Sequence, residues 1–132
     1  MKKKLFIFTI DNHEKAEQII LESKIYHFKP IFYIKNYIVK GFGSDFILNL
    51  KNLLISRFGS NSFKLYVDCG YNHSLSIEMI TKKIEYIKLK GNPSIMSKIK
   101  NIATKNKVSL NPSFNVVDFK NIKKIKSKIQ NL

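Results

Sequence analysis

One cysteine stands in this chain of 132 residues, at position 69, so no internal disulfide forms and too few thiols remain for a structural zinc centre. That thiol usage is expected of a reducing compartment, and the cytoplasm is the expected location. Long apolar runs are lacking as well. Residues 5–10 form an apolar stretch behind a basic start, but Asp11 closes it after six residues, short of a secretory signal. Nothing approaches the roughly 20 apolar residues of a transmembrane helix. Arginine is nearly missing: of 24 basic residues only Arg57 is arginine. Its planar fork is the group best suited to bidentate phosphate and base contacts, so specific nucleic-acid readout is disfavoured. Glycine motifs are wanting too, since neither GxGxxG nor a P-loop occurs and Gly41-Phe42-Gly43 lacks a third glycine at the required distance. No histidine pair stands at HxxxH spacing. No metal and no cofactor are therefore expected.

What is present describes one ordinary domain. At this length a chain buries roughly two thirds of the surface its unfolded form exposes. A hydrophobic fraction of 44% and a charged fraction of 25% are those of a globular protein. Residues 1–132 read as a single α/β domain without a linker. The formal charge of +15 is spread unevenly: residues 1–81 hold 11 basic and 7 acidic residues, residues 82–132 hold 13 and 2. Abundant lysine, isoleucine and asparagine mark an AT-rich genome, and a solvated lysine surface accounts for most of the charge. A positive field would nevertheless draw phosphates toward the carboxyl-terminal half.

Hydrophobic patterning gives the layout. Residues 4–10 read as a buried strand ending in Asp11-Asn12, both good N-caps, and residues 14–26 as a helix. Pro30 bars further helix, so residues 31–34 begin a second strand. A turn is expected at Gly41-Phe42-Gly43, with Ser44-Asp45 capping a helix over 46–58 that Gly59 closes. The third strand spans 63–67 and stops at Asp68-Cys69-Gly70; its helix covers about 72–84. Residues 86–89 form the fourth strand, followed by Asn92 as cap and Pro93 at the first helical position. Residues 108–110 make a short fifth strand. Val116-Val117 extends or crosses the sheet, and a lysine-rich helix from Asp118 carries Ile122, Ile125, Ile129 and Leu132 on one side, suited to covering a face of the sheet.

Strands alternating with helices imply parallel strands joined by right-handed crossovers. The expected fold is three-layered: a mainly parallel five-stranded sheet with helices on both faces, flavodoxin-like, plus the lysine-rich C-terminal helix. All βα loops then share one edge, where open α/β sheets bind ligands. Asp11, His13, Asp68, Asn72, His73, Ser74, Lys90 and Asn92 fall on this rim and are the candidate ligand-binding residues. Several have plainer roles: Asp68 as a cap where strand turns into helix, Asn92 as a helix cap, His73 as an ordinary residue of a helical first turn. Cys69 reads as a small buried hydrophobe.

The stretch Leu65-Tyr66-Val67-Asp68-Cys69-Gly70, then Leu75 and Ile77, residues 84–91, and Ile99-Lys100-Asn101-Ile102-Ala103 resembles a group of uncharacterised small α/β proteins of alphaproteobacteria. In these a strand also ends in Asp-Cys-Gly and leads into a helix, a short strand and a helix ending near Ile-Ala. The likeness covers about the middle two thirds and implies a compact cytoplasmic α/β protein. Tyr71-Asn72-His73 and the heavy lysine content depart from the group.

Three functional expectations follow. Foremost is a non-catalytic binding or regulatory module whose strand-end rim accepts a small anionic ligand or a protein partner, since no catalytic set assembles in the sequence. An alternative is a nucleic-acid- or ribosome-associated protein using Lys120, Lys123, Lys124, Lys126 and Lys128. A further alternative is a small enzyme using Asp68 and His73. An unprotected edge strand also admits a homodimer.

Overall fold

The structure is a computed structural model, described here for residues 6–114. The elements alternate strictly: β1 (Phe6–Thr9), α1 (His13–Tyr26), β2 (Pro30–Ile34), α2 (Asn36–Phe58), β3 (Lys64–Asp68), α3 (His73–Thr81), β4 (Tyr86–Lys88), α4 (Pro93–Lys105) and β5 (Ser109–Leu110). All five strands pair in parallel in one sheet, with Phe8 opposite Phe32, Phe32 opposite Leu65 and Val67 opposite Ile87. This is the expected α/β class.

Strand order, which sequence left open, is β1-β2-β3-β4-β5. Every crossover therefore advances in the same direction, and right-handed crossovers then put each helix on the same face. Burial agrees. Ala16 and Ile19 of α1, Ile47 and Leu54 of α2, Met79 and Ile80 of α3, and Ile99 and Ala103 of α4 join one core cluster with Phe8, Phe32, Leu65, Val67 and Ile87. The expected helices on both faces are thus not seen among the described residues, where α1 to α4 line one. The opposite face carries a second, smaller cluster of Ile7, Ile31, Tyr33 and Tyr66, against which Tyr86 and Phe114 pack. The lysine-rich helix expected from Asp118, and the lysines proposed to meet nucleic acid, lie outside the described residues.

Local chemistry explains the boundaries. Asn12, Asn72 and Asn92 each accept a backbone N–H from the residue three positions on, at 2.8–2.9 Å, and so start α1, α3 and α4. Pro93 occupies the first turn of α4, where its missing N–H costs nothing. The expected turn at Gly41-Phe42-Gly43 is instead inside a helical run, because Ile38 and Val39 bury on the core and draw residues from Asn36 onward into α2. The run still breaks at Gly43, whose φ of 79° and ψ of −179° are open only to glycine. Helix therefore restarts at Ser44, close to the expected start.

Candidate functional site

Past the carboxyl ends of β3 and β4 the ladder continues into the loops. Cys69 N donates to the Lys88 carbonyl at 2.8 Å, and Lys90 N donates to the Gly70 carbonyl at 2.7 Å. Asn36, in the first turn of α2, donates from Nδ2 to the Asp68 carbonyl at 3.0 Å. Its amide lies over Gly70, where an added Cβ would fall 2.8 Å from Nδ2, and Gly70 itself has φ of 59°. Glycine is required there twice over. These contacts hold the loops after β2, β3 and β4 as one rigid rim.

Side chains alternate across a sheet, so Asp68 and Cys69 point to opposite faces. Asp68 turns away from the helices. Its Oδ2 accepts the Tyr33 hydroxyl at 2.8 Å and its Oδ1 accepts Gly70 N at 2.9 Å. It thus caps the strand-to-helix loop, while Asn72 caps the helix. Cys69 faces the helices and is fully buried. Burial, with a smaller push from the Asp68 charge, raises its thiol to about 12. At neutral pH that favours the protonated thiol over the thiolate. Tyr66 is likewise pushed up, by burial first and by Asp68 second.

On the helix side of the rim lies a cavity of about 670 Å³ between the restart of α2 and the start of α3. Asn36, Lys40, Ser44, Asn72 and Ser74 supply polar groups to it, with Cys69 and Tyr71 beside them and Glu78 as its carboxylate. Two helix beginnings meet here. At each, first-turn amides lack an intrahelical acceptor and the helix dipole is positive.

Of the eight rim residues expected from sequence, Asn72 and Ser74 line this cavity. Asp68 belongs to the other face. His73 Nε2 donates to the Lys90 carbonyl at 3.2 Å, and the Lys90 ammonium stands 6.0 Å from the centre of the Tyr71 ring. Asp11 and His13 are exposed at the start of α1, Asn92 caps α4, and none of the three lines the cavity. Sequence patterning puts Asn36 on the rim after the second strand but not among the candidates, and it does not single out Tyr33, Lys40 or Glu78. Tyr33 carried a weak signal, a hydroxyl at the strand end of a β-branched and aromatic run; Lys40 and Glu78 carried none, being ordinary helix-surface residues. Among the described residues no three His, Cys, Asp or Glu side chains gather as metal ligands, and no helix is long and apolar enough to cross a membrane. No family model matches this chain, and no curated protein matches it.

Proposed function

We propose that this protein is a non-catalytic binding module whose strand-end cavity takes a small anionic ligand such as a phosphate ester. The observation that carries the reading is the convergence of two helix starts and Lys40 on one cavity. With the Leu75 amide taken by Asn72 Oδ1, the remaining first-turn amides of these helices present N–H donors, and the helix dipoles favour negative charge. Glu78 opposes a bare anion across the same cavity, which favours a ligand that also offers a hydroxyl or amine. A binding role rather than catalysis is supported by the partners of the reactive groups. Asp68 is held by Tyr33 and Gly70, His73 by the Lys90 carbonyl, and no hydrogen bond joins the two. The family resemblance to small alphaproteobacterial α/β proteins and a cytoplasmic location belong to the same proposal.

Thermal unfolding with inorganic phosphate or pyrophosphate tests it, since a ligand bound only by the native state raises Tm by mass action. Asn72→Asp keeps a good helix cap but puts a carboxylate at the cavity, so stability should hold while the rise disappears. Lys40→Gln should diminish it. An unchanged Tm in the native protein, or a rise that survives Asn72→Asp, would sink the reading.

A further inference from the structure

The opposite edge of the sheet, where the strands begin, holds a second cavity of about 630 Å³. It lies within the range of about 300–1,000 Å³ common to small-molecule sites. Lys24 and His27 come from the end of α1, Lys29 from the following loop, and Lys64 from the start of β3. The apolar wall includes Phe28 and Tyr86. Among the described residues no carboxylate lines this cavity, in contrast to the rim cavity, where Glu78 offsets Lys40. Nor do the ammonium groups find ion-pair partners among the described residues. Two of them are instead drawn to rings: Lys24 Nζ stands 5.2 Å from the Phe58 centroid and Lys64 Nζ 5.8 Å from that of Tyr86. The nearby carboxylate of Glu85 is occupied, accepting Leu65 N at 2.9 Å.

We infer that this amino-edge cavity binds a nucleotide, with phosphate on Lys24, Lys29 and Lys64 and the base against the aromatic wall. Uncompensated cations around a concave, ring-lined surface match the two halves of that chemistry, charge for the phosphate and a π-face for the base. Lysine suffices because a phosphate needs a point charge here, whereas base readout, which favours arginine, is not involved. The nucleotide is either free or part of a single strand. This site is separate from the strand-end cavity and stands or falls without it.

Fluorescence anisotropy with a labelled oligouridylate, and calorimetry with AMP, test the inference on the full chain. On a strand whose successive phosphates each meet one of the three lysines, the salt slope is about −2, so affinity should fall roughly 20-fold between about 50 and 200 mM salt. Lys24→Gln/Lys29→Gln/Lys64→Gln should weaken binding at least about tenfold and remove most of that slope. Lys98→Gln/Lys100→Gln/Lys105→Gln on α4 changes the net charge equally and should leave affinity within about twofold. Asn61→Asp, at an exposed residue of the same cavity, provides a second variant if the triple change disturbs folding, and it too should weaken binding. Binding of AMP as tight as that of the oligonucleotide identifies free nucleotide as the ligand, and much tighter oligonucleotide binding identifies the strand. Equal losses in the two triple variants, or no binding of either probe, overturn the inference.

Discussion

Tyr33 and Asp68, 35 positions apart in the chain, are joined by a 2.8 Å hydrogen bond from the Tyr33 hydroxyl to Asp68 Oδ2 on the face of the sheet opposite α1 to α4. The bond ties the end of β2 to the end of β3 and fixes the carboxylate that also holds Gly70 N. Tyr33→Phe leaves the ring packing against Tyr66 and removes only the donor. Urea unfolding should show a loss of about 1.5–3 kcal/mol, the range for a hydrogen bond to a charged acceptor. No loss would mean that water replaces the hydroxyl without cost.

Asn36 and Gly70 are coupled by close approach. Gly70→Ala imposes a left-handed conformation on alanine, about 1–2 kcal/mol, and also pushes the Asn36 amide off the Asp68 carbonyl, about 1 kcal/mol more. In an Asn36→Ala background the same change should cost about 1 kcal/mol less, which a double-mutant cycle measures. Strict additivity would show that the two residues do not press on each other.

Burial of Cys69 has a pH signature. Its thiol rises from 9.0 to about 12 in the folded protein, so the unfolded chain ionises first as pH climbs. The native state then binds more protons than the unfolded one, and stability falls. The contribution is intact below pH 9 and declines above it by about 1.4 kcal/mol per pH unit until the folded thiol itself ionises. Tyr66 adds a decline of the same sign at higher pH. Urea midpoints from pH 8 to 11 should drop less steeply in Cys69→Ala than in the native protein, and equal slopes would place the effect elsewhere.

Three helices end without glycine in a conformation that glycine prefers. His27, Lys83 and Lys107 have φ of 59°, 63° and 60°. Each is followed by a residue whose N–H reaches back to the helix: Phe28 to Ser23, Ile84 to Met79 and Val108 to Ala103. Buried Ile84 and Val108 and half-buried Phe28 anchor these ends, the hydrophobic contact typical of a Schellman motif. Lys107→Gly removes the left-handed penalty at an exposed site and should raise stability by about 0.5–1 kcal/mol, read from thermal or urea unfolding. A loss of stability would show that the strain is smaller than the entropy glycine adds to the unfolded chain.

These helix ends also show why some boundaries were illegible. A reader of sequence looks for glycine after a helix, finds it at Gly59 and misses it at Lys83, so α3 was expected to run to residue 84 but ends at Thr81. Anchoring by Ile84 decides the point, and that anchor is a tertiary contact. Gly43 illustrates the reverse case. The glycine signals a break in the sequence, but the burial of Ile38 and Val39, which makes helix on both sides of it, depends on the sheet beneath. At the candidate site, Asn72 and Ser74 are legible as the start of a helix after a strand, a local feature, although the capping role of Asn72 is not. Lys40, Glu78 and the direction of Asp68 were not, since facing a cavity is a relation between elements.

The sequence by itself determined the alternation of strands and helices, the asparagine caps at Asn12 and Asn92 and the burial of the central strands, because hydrophobic period and capping act over a few residues. Only the tertiary structure decided the order β1-β2-β3-β4-β5 and the gathering of α1 to α4 on one face. It also decided the placement of two cavities at opposite edges of the sheet. Periodicity specifies that a strand is buried but not which strand lies beside it, and every site in this protein is made by neighbours.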